Sequence, residues 1–292
     1  MRILVTADLH YDIRRSREPT EALADEVSRR PADALLLLGD VAGRQPETFA
    51  EALRLFDGFT GHKMLVAGNH DLWTDPGRDS LHRYEVELAE TCRQHGWHYL
   101  DAGPAQFDGV AFVGNIGWYD HSYRAESLNI PLRFYRAKVA PGAAARMPEH
   151  MHLLDGLVDI PESTLDITTR WMDGQHVRLP YDDEEFTHRL AAKLRRHLEE
   201  AAQQARTIVV GMHHLPFAEM VVRTGHPAWD FATNYLGSEI FGRTVLGEPK
   251  ATHLLCAHNH RARHIVRGHL TCTSVGSTYT DKRVIEIELS DH

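Results

Sequence analysis

Ala34 to Leu38 is an unbroken apolar run that stops on Gly39-Asp40. A strand without alternation has to bury both of its faces, so a chain built this way needs further layers on each side of its sheet. The design recurs along the chain. Ile3 to Thr6 runs into Asp8 and His10, and Lys63 to Val66 into Gly68-Asn69-His70-Asp71. Thr207 to Gly211 runs into His213-His214, and Leu254-Leu255-Cys256 into His258-Asn259-His260. Helical spacing separates the first runs: Leu23 and Val27 within 18–29, then Phe49, Leu53 and Phe56 within 47–58, then a helix near 82–95. Strand-like segments near 98–100 and 110–113 follow. This β-α-β-α-β order predicts helices packed on a largely parallel sheet.

The clearest helix spans about 182–205, with Asp182, Asp183, Glu184 and Glu185 at its N-terminal turn and Phe186, Leu190, Leu194 and Leu198 as its core stripe. After residue 250, Arg263 to Val266, Leu270 to Val275 and Val284 to Leu289 read as a meander with Gly268 at a turn. Residues 120–181 sustain no period and hold Pro131, Pro141, Pro148, Pro161 and Pro180. They are expected to form an ordered insertion in a single domain of residues 1–292, serving as a lid or as the contact of a homo-oligomer.

Composition narrows the function classes. A net charge of −9 argues against a dedicated nucleic-acid binder, whose affinity would rest on clustered Lys and Arg. No apolar stretch reaches the length of a membrane span, and Ile3 to Val5 is too short for the core of a signal peptide. Cys92, Cys256 and Cys272 make no C-x-x-C pair, so reduced thiols in a cytoplasmic protein are expected. With 21 histidines in the chain, only spacing makes a histidine informative.

All five polar clusters lie just past the C-terminal end of an apolar strand, the edge where α/β sheets bind ligands. Imidazole with a few carboxylates suits zinc, manganese or iron(II). Two ions roughly 3.5–4 Å apart need a shared ligand, for which a carboxylate is the natural bridge. Asp8, His10, Asp40, Asn69, His213, His258 and His260 make seven candidates, and sharing Asp40 would give each ion four. With a hydroxide bridge such a site keeps about one positive charge, enough to draw in a phosphate.

This ordered set resembles the calcineurin-like metallophosphoesterase family. Its D-x-H, GD-x-x, GNH-[DE], strand-His and GH-x-H blocks correspond to Asp8-Leu9-His10, Gly39-Asp40-Val41-Ala42, Gly68-Asn69-His70-Asp71, His213 and His258-Asn259-His260, with Ala257 where the family has glycine. The resemblance implies a four-layer α/β/β/α sandwich with two mixed β-sheets. It implies two divalent ions, manganese first and zinc or iron as alternatives. Asp8, His10, Asp40 and His260 would hold one ion, and Asp40, Asn69, His213 and His258 the other. His213 rather than the adjacent His214 is the implied ligand, leaving His214 behind the ligands or facing substrate. A metal-bridging hydroxide would attack phosphorus in line. His70 would serve the leaving group, and Asp71 would hydrogen-bond the His70 imidazole.

Gly39-Asp40-Val41-Ala42-Gly43-Arg44 lacks the signature of the protein-phosphatase branch. The leading expectation is hydrolysis of a phosphodiester or phosphomonoester on a small or nucleotide-like molecule, a phosphodiester in preference. Two alternatives share the motifs: a DNA nuclease of the repair type, which usually adds a DNA-capping region, and a scaffold that has lost catalysis. No basic patch marks the first, and no missing ligand or missing His70 marks the second. Candidate substrate contacts are His214, Tyr119 within the Trp118-Tyr119-Asp120-His121 segment, Arg44 and Arg124.

Overall fold

The strands come in two sets, and each set makes its own sheet. In the computed structural model, which describes residues 1–155 and 159–289, the first contains β1 (Arg2–Thr6), β2 (Ala34–Leu38), β3 (His62–Val66) and β4 (His98–Tyr99). The second contains β5 (Ala105–Phe107), β6 (Val110–Asn115), β7 (Thr207–Met212), β8 (Ala251–Cys256), β9 (Arg263–Arg267) and β10 (Leu270–Ser274). A last strand, β11 (Ile285–Glu288), returns to the first sheet. The orders are β11-β1-β2-β3-β4 and β5-β6-β7-β8-β10-β9. β1 to β4 are parallel, as are β6, β7, β8 and β10; β11, β5 and β9 pair antiparallel at sheet edges.

β2 shows why the apolar runs do not alternate. Its five residues are fully buried, but they divide between two environments. Leu36 and Leu38 face the other sheet and meet Met64, Val66, Phe112, Val209 and Leu255 in an apolar layer between the sheets. Leu35 and Leu37 face outward into the cluster that includes Val27, Phe49 and Leu53 of helices Arg14–Arg29 and Pro46–Arg54. Helices Asp183–Ala202 and Glu239–Leu246 cover the second sheet, giving a four-layer α/β/β/α sandwich. The sheets come close at two glycines. A Cβ on Gly114 would lie 2.2 Å from Leu100 Cβ, and one on Gly211 would lie 2.9 Å from Leu38 Cδ2.

Three elements differ from the sequence-based expectation. The expected C-terminal meander is a β9–β10 hairpin turning at Gly268, whose φ is +59°. β11 leaves that hairpin, because β8 already occupies the other edge of β10. It pairs instead with the free edge of β1, and Ile285 and Ile287 pack on the inter-sheet layer. β5 forms a short hairpin with β6 through Asp108-Gly109, both at positive φ. The helix near 82–95 begins with an α-helical turn at Ser80–His82 and passes through a π-helical turn at Arg83–Glu87 before Leu88–Gln94.

The 120–181 stretch, of which residues 156–158 lie outside the described residues, is built from short turns such as Leu132–Arg136, Pro141–Ala144 and Asp173–His176. Phe134, Tyr135 and Val139 pack in the same apolar cluster as Leu190 and Leu194. Among the described residues no helix is long and apolar enough to cross a membrane.

Candidate metal centre

The carboxyl ends of β1, β2, β3, β7 and β8 bring their polar clusters to one cleft. Five of the seven candidate ligands leave their strand in the left-handed conformation: Asp8 (φ 54°), His10 (44°), Asp40 (51°), His258 (72°) and His260 (53°). Only nine non-glycine residues among those described do so. Each such residue costs about 1–3 kcal/mol, so the concentration here is strain held where side chains must be aimed rather than packed. Glycines make the aim possible. A Cβ on Gly39 (φ +78°) would meet Gly68 N at 2.6 Å, and one on Gly68 would lie 2.2 Å from both N and Oδ1 of Asp40. Ala257 keeps an ordinary φ and buries its methyl in the inter-sheet layer, so alanine serves there in place of glycine.

Three sets of donor atoms lie within 4.8 Å of one another: Asp8, His10 and His260; His10, Asp40 and His70; Asp40, His213 and His258. Asp40 belongs to two of them. Its Oδ2 is 3.5 Å from His10 Nε2 and 3.4 Å from His213 Nε2. His213 Nε2 also approaches His258 Nδ1 (3.0 Å) and Asn69 Oδ1 (3.2 Å), while its Nδ1 is anchored on the Leu38 carbonyl at 2.8 Å. His260 Nδ1 sits 2.7 Å from the Ser277 carbonyl.

Burial sets the charge states. It holds the imidazoles of His10 and His258 well below their usual range, helped by His70 at the first and by His214 and His213 at the second. Neutral rings are the form that binds a metal. Burial raises Asp8 as well. Burial would raise Asp40 too, but His213 and His70 overrule it and keep that carboxylate well below its normal range. The same pairing lifts His213 to about 9 against its own desolvation.

Both carboxylate oxygens of Asp8 and both ring nitrogens of His10 are buried with no hydrogen-bond partner in the protein. Buried polar atoms are rarely left so, and coordinated cations would take up the Asp8 oxygens and the one His10 nitrogen that carries a lone pair. The mixed imidazole, carboxylate and amide donors therefore fit a divalent metal.

A family model described as calcineurin-like phosphoesterase matches residues 1–269. The chain belongs to that family. Its reaction class is accordingly metal-dependent phosphoester hydrolysis. Among solved structures, phosphopantetheinyl hydrolase from Mycobacterium tuberculosis is similar at 19% identity, with a TM-score of 0.66 over 97% of this chain and 95% of that one. The TT1561 protein of Thermus thermophilus is similar at 13% identity and a TM-score of 0.52, over 96% of this chain and 90% of that one. These likenesses show a shared fold. No curated protein sequence is significantly similar to the chain.

In this calcineurin-like phosphoesterase several expected contacts are placed otherwise. Asp71 does not touch the His70 imidazole. Its Oδ1 accepts from the N–H groups of Val41 (2.9 Å) and Ala42 (3.0 Å), and its Oδ2 from Gly68 (2.8 Å). The carboxylate ties the loop after β2 to the loop after β3. His70 donates its backbone N–H to Asp40 Oδ1 at 2.9 Å and stacks on Trp73 at 3.8 Å, with its Nδ1 buried and unpartnered. His214 is fully buried behind His258, ring to ring at 4.4 Å, rather than facing substrate. Burial and the neighbouring His213 lower it to about 3.

Tyr119 is also fully buried and directs its hydroxyl to Asp173 instead of walling the cleft. Arg44 pairs with Asp75 at the surface, and Arg124 donates to the His121 carbonyl; neither lines the cleft.

The cleft of the phosphoesterase, about 550 Å³, has walls that local sequence did not single out: Trp73, Trp171, Trp229, Tyr279 and Met172, with Arg170 at an exposed position. Tyr279 packs beside His10 and His260, at 4.8 and 5.1 Å. Arg83, buried in the π-helical turn, donates to the carbonyls of Asp71, Gly43 and Arg44. Lys282 Nζ reaches the Asp8 carbonyl at 2.6 Å. Burial lowers its ammonium to about 8. Arg83 and Lys282 sit outside every motif, so only the three-dimensional arrangement identifies them.

Proposed function

We propose that the cleft hydrolyses a phosphodiester on a small or nucleotide-like molecule at a dinuclear centre. Asp8, His10, Asp40 and His260 would hold one ion, and Asp40, Asn69, His213 and His258 the other. The observation that carries this reading is the set of buried, partnerless donors of Asp8 and His10 beside an Asp40 that also reaches His213. When bound, the ions would supply Lewis-acid charge for the phosphoryl oxygens and lower the pKa of the attacking water.

The chain's own residues supply the rest. Asp40 stands between the two ligand sets and its Oδ1 fixes the His70 backbone. The Trp73 ring beneath His70 restricts that imidazole to the cleft side, where it can pass a proton to the leaving-group oxygen. Trp171, Trp229 and Tyr279 exclude water and offer flat apolar surface to the organic part of a diester. The 120–181 stretch, which contributes Arg170 to Asp173, acts as a wall or lid over the metals.

Manganese is the first ion to test, followed by zinc and iron(II). Three buried free thiols suit a cytoplasmic setting. A phosphopantetheinyl ester belongs in the substrate panel, because the similar mycobacterial protein is described as a hydrolase of that group. The test is hydrolysis of a chromogenic phosphodiester by apo protein reconstituted with each ion. Activity should require metal and fall at least a hundredfold in D40A and H258A. Unchanged metal-dependent activity in either variant removes the proposal.

A further inference from the structure

A single buried carboxylate from the 120–181 stretch reaches the ligand cluster without belonging to it. Asp173 is 1% exposed, and its two oxygens accept four hydrogen bonds. Oδ1 receives Asn69 Nδ2 at 2.9 Å and Trp73 Nε1 at 2.8 Å; Oδ2 receives Trp171 Nε1 at 2.7 Å and the Tyr119 hydroxyl at 3.1 Å. Among the described residues no Lys, Arg or His forms an ion pair with it. Its four neutral donors come from three places: Asn69 and Trp73 from the segment after β3, Trp171 from the 120–181 stretch, and the buried Tyr119 from the segment after β6.

We propose that Asp173 is a positioning residue that sets which end of the Asn69 carboxamide faces the metal. The inference rests on the dinuclear reading above. A carboxamide has a donor end and an acceptor end of nearly the same shape, and only the oxygen has a lone pair to give a cation. An ionised carboxylate accepts and cannot donate, so the amide must turn its NH₂ toward Asp173. That turns Oδ1 into the ligand cluster, where it lies 3.2 Å from His213 Nε2. The bond also draws electron density toward Oδ1, the general way in which a group behind a ligand strengthens it.

Trp73 hangs from the same Asp173 oxygen and is the ring on which His70 stacks. Trp171, held by the other oxygen, forms part of the cleft wall. The carboxylate thus joins a metal ligand, the platform of the leaving-group histidine and the substrate wall in one rigid unit. Asparagine at 173 cannot reproduce it, because its NH₂ must face either the donors of Asn69 and Trp73 or the Trp171 N–H, so at least one of the four bonds is lost in either orientation.

The test is calorimetric titration of the full apo chain with manganese alone, for wild type, D173N and N69A, with thermal melts alongside. In D173N the affinity for one ion is expected to fall 10- to 100-fold, with the other ion within threefold of wild type. For a chromogenic diester kcat should fall while KM changes little. Two ions bound as in wild type with unchanged kcat overturns the inference. So does equal weakening of both ions in step with a lowered Tm, the signature of a merely structural role. N69A separates the two levels. Loss of an ion in N69A but not in D173N discards the role of Asp173 and leaves the dinuclear reading standing; loss in neither discards Asn69 as a ligand and with it the role of Asp173, whereas a wild type that binds only one ion discards the dinuclear reading. If D173N does not fold, D173E decides: at least fivefold weakening of one ion is expected, and unchanged binding of both refutes the role.

Discussion

Gly68→Ala places one methyl group against the residue shared by the two ligand sets. The added Cβ would lie 2.2 Å from both the backbone N and Oδ1 of Asp40, where ordinary contact begins at 3.4 Å. Gly68 has no positive φ, so crowding and not backbone strain carries the effect. Relief requires Asp40 to retreat by about 1.2 Å, and a displacement near 1 Å at a reacting centre is worth on the order of 10²-fold in rate. Stability should suffer less, because the loop can open toward the cleft; a loss of about 1–3 kcal/mol is expected for overpacking. Gly77→Ala is the control. Gly77 has φ +88° and nothing within 4 Å of its Cβ position, so it should lose about 1–2 kcal/mol of stability through backbone strain alone and keep its activity. The assay is kcat/KM on a chromogenic phosphodiester at saturating manganese, with urea unfolding of both variants. A G68A enzyme within threefold of wild type, or a G77A enzyme impaired as badly as G68A, would refute the reasoning.

Other perturbations separate structural from chemical roles. Removing the Asp71 carboxylate in D71A strands three buried N–H groups, so a loss of roughly 3–5 kcal/mol is expected by urea unfolding, with D71N less affected; equal stability of D71A and wild type contradicts the clamp. His213 stands at about 9 in the metal-free protein, so a metal must displace its proton, and manganese affinity should rise up to tenfold per pH unit from about pH 7 to 9. Calorimetry at pH 7.5 in buffers of different ionisation enthalpy should register about one proton released, and none released would contradict the pairing with Asp40. His197 is lowered to about 4, by burial first and then by Lys193 and Arg196. Protonation below the unfolded value of 6.5 therefore favours the unfolded chain, and stability should be flat above that pH and fall between 6.5 and 4. H197L should remove roughly 1–3 kcal/mol of that acid sensitivity after allowance for solvent screening, measured as the difference in urea midpoint between pH 7 and 4.5.

The two-faced burial of β2 and the polar cluster at each strand end were legible because both depend on neighbours in sequence. An all-apolar run has one physical solution, and a D-x-H or GNHD block carries its ligands within four residues. What depended on partners far along the chain was not legible. Nothing local in Ile285–Glu288 distinguishes a third strand of a hairpin from a strand that returns to β1. The resemblance implied a hydrogen bond from Asp71 to the His70 imidazole, yet the 3₁₀ turn at His70–Leu72 turns Asp71 inward to backbone N–H groups. Tyr119, in an aromatic segment after a strand, and His214, next to a ligand, were candidate substrate contacts, but both are fully buried. Asp173 lies 104 residues from the asparagine it contacts, in a stretch with no periodic signal. Gly114 and Gly211 read as strand residues of low propensity; only the close approach of two sheets explains them.

The most direct measurement is the anomalous scattering of crystals of the full chain soaked with manganese. Two ions about 3.5–4 Å apart with the Asp40 carboxylate between them, and Asn69 and His10 on opposite ions, is the expected result. A single ion, or two ions without Asp40 as a common ligand, would contradict the account.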